Sequence, residues 1–175
     1  MYFLYIMKLT EAKEKFIGSW GALGTNWGIS KTMAQIHALL LVSPDPVNTE
    51  EIMETLSISR GNVNMNVRAL IEWGLVEKVH KLGERMEFFV AEKDMWKIAT
   101  RITTERRKRE LEPILRIIDT LKEVEDLEAD KKALKEFKST MNDLDRFTKK
   151  ADKLLSKLAR ADERWFTSVL LKMFK

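Results

Sequence analysis

The chain has no cysteine, two histidines, three prolines and seven glycines in 175 residues. Without cysteine there is no disulfide framework, no thiol nucleophile and no thiolate metal site. The two histidines, His37 and His80, stand far apart in the chain, so no zinc site is expected. No Ser/His/Asp constellation, phosphate-cradling glycine loop or metal cluster can be picked out, which argues against an enzyme and against a cofactor. Long apolar runs are missing too. The N-terminal Met1-Tyr2-Phe3-Leu4-Tyr5-Ile6-Met7 has no basic stretch before it and charge directly after it. It is too short for a signal peptide or a membrane span, and Met7 could serve as the natural start. A cytoplasmic protein without a membrane partner is expected.

What is present is a mostly helical composition. Hydrophobic residues make up 45% of the chain, enough for a core, and the few glycines and prolines suit helices. The net charge of +4 and pI near 9.2 mildly favour a polyanionic partner.

The most informative stretch is 47–91. Asn48 can cap a helix whose Glu51, three residues on, reaches back to the capping amide. Ile52, Met53 and Leu56 form a short apolar stripe. After a tight turn, Ser59 caps a second helix over 60–73, and Gly74 follows where a left-handed residue belongs. In that helix Val63, Val67, Leu70 and Ile71 share one face. The opposite face carries Gly61, Asn62, Met65, Arg68, Ala69 and Glu72, with Asn64 and Asn66 beside it. An exposed face this short and amide-rich costs helix propensity. Asparagine can bond adenine at N6 and N7, and an apolar atom can touch a thymine methyl. From Leu75 the period changes to that of strands, over 75–80 and 85–91, joined by Lys81-Leu82-Gly83-Glu84. This is a hairpin wing, with His80, Lys81 and Arg85 near its tip, within reach of phosphates or a minor groove. The pattern predicts a winged helix-turn-helix with base and phosphate contacts from Ser59, Arg60, Asn62, Asn64, Met65, Asn66 and Arg68.

Three strings carry a resemblance: Leu39-Leu40-Leu41-Val42-Ser43-Pro44-Asp45-Pro46, Ser59-Arg60-Gly61-Asn62-Val63-Asn64-Met65-Asn66-Val67-Arg68, and Glu72-Trp73-Gly74-Leu75-Val76. Over roughly 18–112 the chain resembles the GbsR branch of the MarR transcriptional regulators. The resemblance implies a dimeric, cytoplasmic, winged-helix regulator of double-stranded DNA, often a repressor. Some members sense choline or glycine betaine, so a quaternary ammonium osmolyte is the effector that the resemblance implies.

The rest of the chain frames this segment. A helix is expected over 9–22, capped by Thr10 and ended by Gly18, Gly21, Gly24 and Gly28. Small residues beside Trp20 and Trp27 point to close helix crossing or a lined pocket. Ser30 caps a helix over 31–42, stopped by Ser43-Pro44-Asp45-Pro46, with His37 as a scaffold residue. Asp94 opens a long helix. Its basic run over 101–109 reads as a solvated face rather than a DNA contact. Pro113 either starts a new helix or kinks the long one. Ile114, Ile117, Ile118, Leu121 and Val124 share a face, and a break is expected over 123–130. Heptad rows then follow, Leu134, Met141, Thr148, Leu155 and Asp162 against Phe137, Leu144, Ala151, Leu158 and Trp165. Such a seam must bury itself against the preceding helix or a second chain. The apolar tail from Trp165 to Phe174 reads as a docked end rather than a membrane anchor.

The expected fold is mainly α: a winged helix-turn-helix domain with a two-stranded wing over 30–93, an N-terminal helix contributing to dimerisation in 1–29, and a helical dimerisation domain over 94–175. A homodimer suits half-sites about 34–36 Å apart. Trp20, Trp27 and Trp96 could line an aromatic cage for a cationic effector, although hinge packing is the preferred reading of all three. The competing function is a winged-helix protein-interaction module, against which the amide-rich face argues.

Overall fold

The computed structural model describes residues 7–26, 28–126 and 130–160, and these fall into two compact units divided between Met95 and Trp96. The first unit runs α1 (Leu9–Asn26), α2 (Lys31–Val42), β1 (Val47–Asn48), α3 (Thr49–Leu56), α4 (Arg60–Glu72), β2 (Val76–Val79) and β3 (Phe88–Ala91). The second is helical: α5 (Met95–Arg106), a π-helical turn (Arg107–Leu111), α6 (Glu112–Leu121) and α7 (Lys131–Arg160).

Local chemistry sets most boundaries of the first unit. Ser30 Oγ accepts the Met33 N–H at 3.0 Å and opens α2. Asn48 and Glu51 form a complete capping box at α3. The Asn48 side chain accepts the Glu51 N–H at 2.9 Å, and the Glu51 carboxylate accepts the Asn48 N–H at 2.7 Å. Ser57, left-handed at φ 52°, ends α3 and turns the chain toward Ser59, the cap of α4. Helix α4 closes in a Schellman arrangement with Gly74 at φ 70°. Leu75 N–H donates to the Leu70 carbonyl and Gly74 N–H to that of Ile71, both at 2.9 Å.

Helix α1 departs from the sequence reading. It continues past residue 22 to Asn26, and Thr10 lies inside it rather than capping it. Glycine within a helix costs only about 1 kcal/mol relative to alanine, and here the glycines serve packing. A Cβ at Gly24 would lie 2.4 Å from the Ala34 Cβ, and one at Gly21 would lie 2.7 Å from Gln35 Cγ. Contact with α2 at this range offsets the lost propensity.

The sheet has three antiparallel strands in the order β1-β3-β2, not two. Val47 pairs with Phe89 and Asn48 with Phe88, while β2 pairs with β3 from Val76–Ala91 to Val79–Phe88. A two-residue strand leaves no periodicity in a sequence. The core joins α2, α3, α4 and the sheet through Ile36, Leu40, Ile52, Val63, Leu70 and Val76, all fully buried. Ile71, expected with them, is 38% exposed because it lies at the margin of the apolar stripe. Lys93 closes the far end of α2. Its Nζ donates to the carbonyls of Leu40, Leu41 and Ser43 at 2.8, 2.6 and 3.0 Å, satisfying groups that the helix leaves open.

In the second unit Pro113 sits in the first turn of α6. A proline cannot donate a backbone hydrogen bond and its ring crowds the carbonyl four residues back. The chain meets this with the π turn, where Glu112 N–H bonds the Arg107 carbonyl. Arg107 is held by Asp152 at 2.6 Å and Glu112 at 3.1 Å. The hydrogen bond to Asp152 is the main cause that raises its pKa. Other members of the basic run are paired as well, Arg106 with Glu110 at 2.9 Å and Lys108 with Glu105 at 2.7 Å. Asp130 caps α7 by accepting the Ala133 N–H at 3.1 Å. Helices α6 and α7 pack together, and Lys149 bridges Asp145 at 2.7 Å and Asp119 at 3.6 Å. Part of the heptad seam is therefore closed within the chain: Thr148 and Ile118 are buried, and Leu134, Met141 and Leu155 half-buried. Phe137, Leu144, Phe147 and Leu154 remain exposed on α7, and Ile114, Ile117 and Leu121 on α6. Asp162, Trp165 and the apolar tail lie outside the described residues.

Candidate nucleic-acid interface

Helix α4 presents Arg60, Gly61, Asn64, Met65, Arg68 and Glu72 to solvent. Met65 is 66% exposed, so an apolar group stands bare beside the amide of Asn64. Arg68 pairs with no carboxylate among the described residues. Arg60 at the helix start donates to Glu50 of α3 at 2.5 Å, and that hydrogen bond is the main cause lowering the Glu50 pKa. Ser59, predicted as a contact residue, spends its Oγ on the Asn62 N–H at 3.3 Å. Asn62 is half-buried.

Asn66 corrects the helical-wheel reading. It is 5% exposed, within the core rather than beside the solvent face. On the wheel it lies roughly 40° from Leu70, and α2 packs over that flank. Ser30 Oγ donates to Asn66 Oδ1 at 2.9 Å. Asn66 Nδ2 donates to the Asn62 carbonyl at 2.8 Å and to Asn62 Oδ1 at 2.7 Å. Asn66 is a scaffold residue that ties α4 to the start of α2, and a bound polymer could not reach it.

The wing is a tight turn between β2 and β3. Glu84 N–H donates to the Lys81 carbonyl at 3.1 Å, and Gly83 sits at φ 85°. His80 and Arg85 are exposed. Lys81 is half-buried, its ammonium 4.1 Å from the centre of the Phe88 ring, which steers the side chain along the base of the wing. Lys78 pairs with Glu87 across the hairpin. Leu82 at the apex is wholly exposed.

An amide-bearing helix face beside a hairpin wing, both set on one three-stranded sheet, is the arrangement of a winged helix-turn-helix. Residues 27–85 match the family model of the MarR family. That segment, about a third of the chain, is similar to a MarR-family domain. Over 104 residues the chain is 26% identical to the HTH-type transcriptional repressor GbsR of Bacillus subtilis (strain 168), covering 59% of this chain and 57% of that protein. It is 33% identical over 51 residues to the HTH-type transcriptional regulator MmpR5 of Mycobacterium tuberculosis (strain ATCC 25618 / H37Rv), covering 29% of this chain and 31% of that protein. The chain thus spans little more than half of the first relative and about a third of the second. A crystal structure of a transcriptional regulator shares the fold with a TM-score of 0.51 at 19% identity, covering 83% of this chain and 99% of the other.

Of the tryptophans proposed for a cage, Trp20 belongs to α1, which packs on α2. Its ring lies 5.4 Å from that of Phe16 and 6.3 Å from that of His37. Trp96 belongs to α5 of the second unit, and Trp27 lies outside the described residues. His37, expected as a partly buried scaffold residue, is fully buried at 3% exposure, and its Nε2 has no hydrogen-bond partner among the described residues. Burial, and secondly the charge of Lys93, push its pKa down to about 4. No helix among the described residues is long and apolar enough to cross a membrane.

Proposed function

We propose that this chain is a sequence-specific DNA-binding transcriptional regulator of the GbsR type, acting in the cytoplasm as a repressor. It binds an operator as a dimer, with α4 in the major groove and the wing on the backbone or in the minor groove. The observation that carries the proposal is the solvent face of α4. Arg60, Asn64, Met65 and Arg68 stand on it, and Gly61 leaves open space where a Cβ would be. These are the groups that read base edges and hold phosphates. A protein-binding face would carry more aromatic and apolar area; here Met65 is the large apolar residue on it.

Dimerisation is supported by apolar residues left uncovered in the second unit, Ile114 and Ile117 on α6 and Phe137, Leu144, Phe147 and Leu154 on α7. Two recognition helices joined through such a face would span half-sites one helical turn apart. A quaternary ammonium effector enters only through the resemblance read from the sequence. Trp20 and Phe16, 5.4 Å apart, are candidate walls of the cage it would need.

The test is fluorescence anisotropy on duplex DNA from upstream of the protein's own gene, against a shuffled duplex, over a salt series. Preference for the native duplex is expected, reduced by Asn64→Ala by about 1–3 kcal/mol. Arg68→Ala should lower the salt slope by about one. Equal binding to both duplexes, lost as salt rises, would refute sequence reading. For the dimer, sedimentation of Phe147→Glu should give a monomer where the parent protein is dimeric; an unchanged mass would remove this face from the interface.

A further inference from the structure

We infer that Asn66 holds Asn62 with its oxygen turned inward and its NH2 outward, so that it reads a guanine edge rather than an adenine. The inference rests on the proposed DNA-binding reading and deepens it. The chain of hydrogen bonds leaves one consistent assignment of the two amides. Ser30 Oγ accepts the Met33 N–H, and its own proton goes to Asn66 Oδ1 at 2.9 Å. The opposite end of the Asn66 amide lies 2.8 Å from the Asn62 backbone carbonyl, which can only accept. That end must be the NH2 group; a flipped amide would set two oxygens against each other. The second proton of the same NH2 points at the Asn62 side chain, 2.7 Å away, so the atom there is the oxygen. The two ends of an amide are close to interchangeable in shape, and here the all-acceptor carbonyl fixes which end is which.

The consequence falls on the solvent side. Asn62 Oδ1 is engaged by Asn66, a residue that is 5% exposed, which draws the oxygen inward and leaves Nδ2 as the group free to meet a base. Reading adenine takes both atoms, the oxygen accepting from N6 and the nitrogen donating to N7. Asn62 keeps the nitrogen alone, which has no partner among the described residues. A lone NH2 matches an edge rich in acceptors. Guanine presents two, N7 and O6, whereas adenine (N7) and thymine (O4) present one each and cytosine presents only a donor. Asn64 is exposed and free of this constraint. Two asparagines two residues apart on one helix thus have different chemistry.

Selection of binding sites from randomised duplexes, with the parent protein and Asn62→Asp, tests this. An aspartate keeps an acceptor for Asn66 and turns the outward group from donor to acceptor. The parent protein should favour guanine at one position, and the variant should move to adenine or cytosine there by about tenfold. Parent selection of adenine at the position that Asn62→Ala relaxes would overturn the inference. So would an Asn62→Asp variant that weakens all duplexes equally, which marks a phosphate contact, or one with unchanged preference. Side-chain amide exchange by NMR on the free protein tests the orientation without DNA. Slow exchange for the Asn66 NH2 and fast exchange for that of Asn62 are expected, and the reverse order would overturn the assignment. A parent protein that selects no sequence, with the amide pattern intact, would refute the regulator reading and leave the amide assignment standing.

Discussion

His37 ties the stability of the first unit to pH. Its imidazole is buried, its Nε2 is unpaired among the described residues, and burial holds its pKa at about 4 against an ordinary 6.5. Above pH 6.5 both folded and unfolded chains hold it neutral. Between 6.5 and 4 only the unfolded chain takes the proton, so stability falls as pH falls. Below 4 both are protonated and the contribution is lost in full. At about 1.4 kcal/mol per pH unit, the loss over this window is about 3 kcal/mol. His37→Leu replaces the unpaired nitrogen with apolar atoms of similar volume. At pH 7.5 its stability should lie within about 1.5 kcal/mol of the parent. Urea unfolding followed by circular dichroism from pH 7.5 to 3.5 should show parent and variant diverging below 6.5, the parent losing more. Carboxylates titrate in the same range, but they do so in both proteins and cancel in the difference. A difference that stays flat from pH 6.5 to 4 would refute the burial argument.

Three further outcomes follow from packing and pairing. Gly24→Ala should lower thermal stability by about 1–3 kcal/mol, since its Cβ would meet Ala34 at 2.4 Å, while Gly18→Ala in the same helix meets nothing and should raise stability by up to about 1 kcal/mol; equal effects in thermal melts would contradict the close crossing. Lys93→Met removes the donor to three carbonyls at the end of α2 and should cost about 1 kcal/mol in urea titrations; an unchanged midpoint would make the contact incidental. Glu50→Gln releases Arg60 from its ion pair and should tighten duplex binding about twofold to fivefold at low salt. Weaker binding would show that Glu50 positions the arginine instead.

The features that the sequence discloses are those whose partners are near in the chain. The Asn48–Glu51 box, the Ser30 and Ser59 caps and the Gly74 turn each close within a few residues. The buried stripe of α4 follows from helical spacing for Val63, Val67 and Leu70. The misses are long-range. Asn66 is buried because Ser30, thirty-six residues earlier, faces it. Helix α1 survives its glycines because α2 lies against them, which no local propensity reports. Lys93 looks like any surface lysine until the end of α2 is brought beneath it. The exposed face of α4, the proposed reading surface, is largely legible as an exposed face, yet the amide orientation beside it is not, since it depends on a chain of four groups from two helices.

The short strand β1 has a kinetic consequence. Its pairing of Val47 with Phe89 closes a loop of roughly forty residues that holds α3, α4 and the wing. Closing a loop of that length adds little entropy cost beyond a shorter one, at ~0.6 kcal/mol per doubling. The contact is nonetheless distant in sequence, and such contacts form late in folding. We expect helix α4 to be fully confined only once this ladder has closed. In native-state hydrogen exchange the amides of Phe88 and Phe89 should open together with those of α4, as one cooperative unit. Two residue pairs at the edge of a sheet would then set how often the proposed DNA-facing surface exists in its competent form.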